Sequence, residues 1–179
     1  MLSLFFAYAI LSRLAYVGYV GVSLRREERE GPTGTFRRFR ARAAILMNND
    51  AVAFIALCVA TRNTLRLPIS TTVSFSAGAL LAIVGLGTKL WAARTLGADA
   101  YHWHNFFEPE RARGPVSSGP YRFVSNPMYT IGYLQTYGLA LALRSLPGVI
   151  ASIFAQAAIL AFYFAVEKPH FERLLERSR

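Results

Sequence analysis

The sequence predicts an all-α integral membrane protein: a helical bundle of about five transmembrane helices with a polar loop at one face. Three observations carry this. Of the 179 residues, 54% are apolar and the mean hydropathy is +0.31, above the roughly 45–50% apolar content of ordinary soluble domains. The apolar residues gather into five runs, three of them reaching the about 20 residues that cross a bilayer as a helix. The formal net charge is +10, and most of the arginines stand between the runs. A soluble bundle with thick core helices is the alternative, and five such runs in a chain of one-domain length argue against it.

The first run, Leu2 to Leu24, is broken only by Arg13. It has no basic stretch ahead of it and no small-x-small cleavage site, so it reads as a retained membrane helix and not as a signal peptide. The second, Ala43 to Ala60, carries Asn48, Asn49 and Asp50 near its start. The third runs from Ile69 to Ala93, the fourth from Met128 to Leu143 and the fifth from Leu146 to Val166. The second and fourth are short and need tilt or a buried end to span. Gly31 to Gly34, "GPTG", is a turn between basic clusters. The short "SLPG" from Ser145 to Gly148 makes an antiparallel hairpin of the last two runs.

The arginines orient the chain. Arg25 to Arg42 holds seven of them, the loop from Arg94 to Pro127 holds Arg94, Arg111, Arg113 and Arg122, and the tail holds Lys168, Arg173, Arg177 and Arg179. If all five runs span, these segments share one side, and the other side receives Arg62, Arg66 and Arg144. The positive-inside rule then puts the N-terminus outside and the C-terminus in the cytosol. Flanking arginines explain the basic balance without nucleic acid, for which no binding motif appears. The single cysteine, Cys58, lies in an apolar run, so no intramolecular disulfide or cysteine-based metal site is expected.

Chemistry concentrates in "TLGADAYHWHNFFEPERARGPVSSGPYRFVSNPMY", residues 95–129. A metal reading would use His102, His104 and an acid. An H-x-H pair needs a strand to aim both rings one way, and the aromatic surroundings suit an interfacial belt instead. In "GPYRFVSNPMY", Gly119-Pro120 sets a turn and Asn126-Pro127 holds the chain extended before a helix with Pro127 in its first turn. That helix start would present free N–H groups and a positive dipole end able to hold a carboxylate. The same pattern also serves as a plain helix start with interfacial tyrosines.

Arg113 to Gly132, "RGPVSSGPYRFVSNPMYTIG", resembles the signature of the integral-membrane methyltransferases, "LVTSGPYRYVRHPMYLG". That superfamily includes isoprenylcysteine carboxyl methyltransferase and the phosphatidylethanolamine N-methyltransferases. "SNPMY" is similar to the phospholipid type. "VEKPHFERLLER" (Val166 to Arg177) resembles the family's glutamate pair, with Glu167 first and Lys168 in place of the second. "VGLGTKL" resembles the G-x-G of the phospholipid enzymes at Gly85 and Gly87. The resemblance covers about Gly85 to the end and implies S-adenosylmethionine as cofactor. It implies cofactor contacts from Arg113, Gly114, Pro115 and Val116, from Tyr121, from Asn126, Pro127, Met128 and Tyr129, and from Glu167. Asn126 stands where a histidine is usual. It further divides the single membrane domain, 1–179, into N-terminal helices with a basic loop (1–67) and a catalytic methyltransferase core (68–179).

Physical chemistry fits these roles. A carboxylate at a helix end suits the cofactor's ammonium, and tyrosine faces suit a sulfonium or methylated ammonium. Boundary acids such as Glu167 are costly to bury and tend to be functional. The carboxyl methyltransferases place an arginine one turn before the glutamate, where this chain has Tyr163. Tyr163 is therefore expected at the substrate, and the acceptor is expected to be the amine of a membrane phospholipid. An amine must be neutral to attack, and His104 and Glu108 are the candidate catalytic bases. The cofactor site is expected on the cytosolic side. A prenylcysteine carboxylate acceptor, a nicotinamide-dependent sterol-reductase-like enzyme and a non-enzymatic scaffold are the alternatives.

Overall fold

In the computed structural model, which describes residues 2–31, 34–108 and 116–177, helix boundaries follow side-chain packing more closely than they follow hydropathy. Helix α1, Leu2–Glu30, runs past its apolar segment because Arg26 and Glu30 pair across one turn at 2.9 Å. Helix α2, Phe36–Ala60, starts seven residues before the apolar run. Phe36 and Phe39 make the extra turns amphipathic, and Phe39 and Ala43 are buried. The second run is thus long enough, with a buried end.

Helix α3, Thr71–Leu96, is capped by Ser70, whose Oγ accepts from Val73 N at 3.2 Å. A short α4, Ala98–Tyr101, and a 3-10 turn, His104–Phe106, follow. A second 3-10 turn covers Gly119–Arg122. Gly119 sits at φ +57°, and a Cβ there would run into Thr95 at the end of α3. Only glycine lets this turn lie on that helix.

The fourth run departs most from expectation. Its α-helix, α5, covers only Leu134–Ala142 and follows a 3-10 turn at Ile131–Tyr133. Among the described residues four helices are long and apolar enough to cross a membrane: Leu2–Glu30, Phe36–Ala60, Thr71–Leu96 and Leu146–Arg173. The fourth run is not one of them, yet it lies antiparallel along α3. Gly132 stands beside Lys89, Gly85 meets the backbone of Gln135, and Gly78 meets Gly138 and Ala142. Beyond it, Arg144 Nη1 reaches Thr71 Oγ1 at 3.2 Å. From Lys89 to Thr71 is about 27 Å of helix at 1.5 Å per residue, close to the about 30 Å apolar thickness of a bilayer. Turns and 3-10 residues, which rise faster, supply what the short helix lacks.

Helix α6, Leu146–Phe162, begins at the expected hairpin, with Ser145 Oγ accepting from Gly148 N at 2.8 Å. The run does not end at Val166. It passes through a π turn, Tyr163–Glu167, into α7, Lys168–Arg177.

The basic segments meet at one end. Arg25 Nη2 donates to Ala165 O at 3.1 Å, and Glu28 accepts from Arg173 at 2.6 and 3.1 Å. His170 stacks on Phe106 at 3.6 Å. The loops 61–71 and 143–146 tie together at the opposite end, where Leu65 N donates to Arg144 O at 2.7 Å and Thr61 bonds Ser145 at 2.6 Å.

The small-residue seam gives a direct test. Gly138→Ala places a methyl on the backbone of Ala82 and Gly78, and should destabilise by about 1–3 kcal/mol. Gly87→Ala meets nothing within 4 Å and should be neutral or gain up to about 1 kcal/mol of helix propensity. Thermal unfolding in detergent separates the two.

Candidate active site

The π turn widens the helix just where Glu167 leaves the apolar interior. Tyr129 Oη donates to Glu167 Oε2 at 3.0 Å, and the Trp103 side chain lies close to the same carboxylate. Trp103 adopts φ +59°, a left-handed conformation that a bulky residue holds only when its surroundings fix it. They do so here: its ring packs edge-on to Phe162 at 5.8 Å and Phe39 at 6.3 Å. Tyr163 lies edge-on to Tyr129 at 6.1 Å. Tyr121 approaches from the 3-10 turn. Its hydroxyl is buried with no hydrogen-bond partner, and burial, then the nearby Glu167 charge, raise its phenol well above the ordinary range. Glu167 is thus a carboxylate set among aromatic rings, a surface matched to organic cations.

Beside it lies a cavity of about 590 Å³ lined by α1, α2, α3, α5 and α6. Tyr16, Trp103, Met128 and Tyr129 line its end toward Glu167. Its walls carry three charges drawn from three separate spans: Arg13, Asp50 and Lys89. Arg13 Nη2 lies 2.6 Å from Asp50 Oδ2, and Arg13 Nη1 donates to Tyr133 Oη at 3.2 Å. Tyr133 Oη in turn donates to Ala155 O at 3.2 Å. Lys89 Nζ stands 5.7 Å from the centre of the Tyr133 ring. Gln156 braces the wall, giving its Nε2 hydrogen to Tyr129 O at 3.1 Å and accepting from Tyr137 Oη at 2.7 Å.

Of the residues singled out by sequence, Tyr121, Tyr129, Tyr163 and Glu167 come together, and Met128 lines the cavity with Tyr129. Val116 is half-buried. Arg113, Gly114 and Pro115 lie outside the described residues. The expected helix start at Pro127 is corrected. Residues 127–130 form turns, and the amides of Tyr129 and Thr130 already donate to Asn126 O, both at 3.2 Å. Gly132 N donates to Pro127 O at 2.8 Å. Those amides are satisfied internally, so this corner makes no ready carboxylate cradle.

Gly85 serves helix packing against Gln135, and Gly87 faces open space. His104 and Glu108 pair with each other at 3.4 Å, with His104 edge-on to Phe36 at 4.6 Å. Neither lines the cavity. The sequence reading passed over Arg13, Asp50 and Lys89 as site residues, although charges inside apolar spans are the signal that finds them.

The phospholipid methyltransferase family model matches residues 73–178. The chain belongs to the phospholipid methyltransferase family. It is 30% identical over 142 residues to a phosphatidylethanolamine N-methyltransferase of Talaromyces marneffei, covering 78% of this chain and 14% of that protein. It is 40% identical over 98 residues to the enzyme of the same name from Schizosaccharomyces japonicus, 54% of this chain and 11% of that protein. Against the one from Aspergillus clavatus it is 31% identical over 144 residues, again 78% and 14%. The chain therefore spans about a seventh or less of the length of these relatives. No solved structure matches it.

The ion pair can be tested by itself. Arg13→Gln leaves Asp50 buried without its partner and should cost about 3–5 kcal/mol, and Asp50→Asn should cost a similar amount. The double variant Arg13→Gln with Asp50→Asn removes both charges and should unfold closer to the native temperature than either single change.

Proposed function

We propose that this chain transfers a methyl group from S-adenosylmethionine to the amine of a membrane phospholipid of the phosphatidylethanolamine type. The observation that carries this reading is the join between two environments: a carboxylate among aromatic rings at Glu167, and an apolar cavity with charged walls reaching it through Tyr129 and Trp103. The family match and the names of the relatives support it.

The residues fit the cofactor. Glu167 would pair with its ammonium, and the Tyr129 hydroxyl orients that carboxylate. The unpartnered Tyr121 hydroxyl has a hydrogen bond to offer beside it. The rings of Tyr129, Tyr163 and Trp103 favour positive charge without needing N–H donors, so they tolerate an ammonium as it gains methyl groups. When bound, the cofactor supplies an electrophilic methyl group on a sulfonium. The amine attacks as the neutral base, so its ammonium proton must first leave, to the Glu167 carboxylate or to water at the open side of the cavity. The protein then has to align the neutral amine with that methyl at the aromatic end of the cavity.

Residues 68–179 then form the cofactor-binding core, and the first 67 residues help to close the acceptor cavity through Arg13 and Asp50. The position one turn before Glu167 carries Tyr163 and not an arginine, which favours an amine over a prenylcysteine carboxylate. The cofactor site and C-terminus face the cytosol in this reading, given the arginine distribution.

Incubating purified protein with labelled S-adenosylmethionine, phosphatidylethanolamine and a farnesylcysteine analogue should label the phospholipid alone. Label only in a base-labile methyl ester would overturn the acceptor. Glu167→Ala should weaken S-adenosylhomocysteine binding by about ten- to a hundredfold in calorimetry, the worth of a charged hydrogen bond. His104→Gln should hold the methylation rate within about threefold, because its ring is outside the cavity. Cysteines introduced at Gly34 and Ser117, in a chain whose own Cys58 is buried, should both label from the cytosolic side, and labelling from opposite sides would overturn the orientation.

A further inference from the structure

The charges of the cavity do not balance. Arg13 and Lys89 bring two positive charges and Asp50 one negative charge to its walls. Asp50 is committed to Arg13 at 2.6 Å. Among the described residues the Lys89 ammonium has no hydrogen bond or ion pair, and meets only the Tyr133 ring face at 5.7 Å. The Arg13 Nε hydrogen is buried with no acceptor. One carboxylate facing two cations among apolar helices leaves a net positive charge, which is costly. An anion in the cavity beside Lys89 and Arg13 offsets it.

The walls say what kind of anion. Phe54, Ile55, Leu86, Leu90, Leu139 and Ile159 also line the cavity, so the occupant is amphiphilic: an anionic group with an apolar body. Tyr129 and Tyr133 lie four residues apart in the turns that precede α5. The first bonds Glu167 and the second bonds Arg13, so the Arg13 end of the cavity is separate from the Glu167 end. In a phosphoethanolamine headgroup two carbons separate the phosphodiester from the amine. A phosphodiester held by Arg13 and Lys89 leaves the amine directed to Tyr129 and Trp103.

We infer that Arg13 and Lys89 form a phosphodiester-binding subsite for the headgroup of the acceptor lipid, an inference that rests on the methyl transfer proposed above. Asp50 keeps Arg13 in place, and Lys89 supplies the charge that the lipid neutralises. The site selects phospholipids over neutral diacyl lipids by this charge and not by the amine.

The test uses the full chain in detergent, with Lys89→Gln and Lys89→Arg. Thermal stabilisation is titrated with short-chain phosphatidylethanolamine, with diacylglycerol of the same chain length, and with inorganic phosphate. The expected result is stabilisation by the phospholipid alone. Lys89→Gln should weaken that binding by at least about tenfold and Lys89→Arg should restore most of it, while S-adenosylhomocysteine affinity stays within about twofold of native. In turnover, Lys89→Gln should raise the phospholipid KM and leave the cofactor KM unchanged.

Equal stabilisation by diacylglycerol or by inorganic phosphate would overturn the subsite. So would an unchanged phospholipid affinity in Lys89→Gln, or a loss confined to S-adenosylhomocysteine. Should Lys89→Gln fail to fold, the lipid series on native protein and on Lys89→Arg decides the question. Lysine-dependent phospholipid binding without any methyl transfer would leave the subsite standing and remove the proposed function. Transfer that is indifferent to Lys89 would do the reverse.

Discussion

A guanidinium and a carboxylate 2.6 Å apart inside an apolar bundle set the register of everything around them. Arg13 and Asp50 belong to different spans, and neither tolerates loss of the other. The neighbouring residues repeat the pairing: Asn49 Nδ2 donates to Ser12 Oγ at 2.8 Å, and Tyr8 Oη donates to Asn49 Oδ1 at 2.7 Å. A slide of α1 along α2 by one turn would break all three contacts. Through Tyr133 the same guanidinium reaches the segment before α5, and through Ala155 O it reaches α6. One buried charge pair thus positions four parts of the chain.

Opposite it, α3 and α5 meet by the absence of side chains. Gly78, Gly85 and Gly138 bring the two backbones into contact. The two devices have different consequences. The glycine seam closes one side of the bundle tightly, whereas the polar pairing holds α1 and α2 apart from α3 by the length of charged and aromatic side chains. The cavity is the space this difference leaves. Lys89, Arg13 and Tyr133 line it, and Tyr16, Trp103 and Tyr129 line its side toward Glu167.

The family match begins at residue 73, after α1 and α2, yet Arg13 and Asp50 come from those two helices. The matched region holds Tyr129, Tyr163, Glu167 and Lys89. The Glu167 end of the cavity is built mostly within the matched region, with Tyr16 added from α1, and the Arg13–Asp50 end is built from helices outside it.

The sequence by itself determined that the chain is a membrane helical bundle and that its basic segments gather at one end; that Tyr121 and Tyr129 come near Glu167 was implied only by the family resemblance. Hydropathy is a sum along the chain, so it is legible residue by residue. The motif around "GPYRFVSNPMY" is local, so it too can be read in one dimension. Tertiary structure alone decided that the fourth run is a short helix lengthened by turns, that α2 begins at Phe36, and that the amides near Pro127 are already satisfied. It alone separated the His104–Glu108 pair from the cavity and showed Gly85 to be a packing residue. It also drew Arg13, Asp50 and Lys89 together. The reason in each case is that a buried polar group is defined by its partner, and these partners lie far away in sequence: Arg13 is 120 positions from Tyr133. The sequence displays a charge in an apolar run, but only the packed bundle shows that Asp50 pairs with Arg13 and that Lys89 stands over the Tyr133 ring.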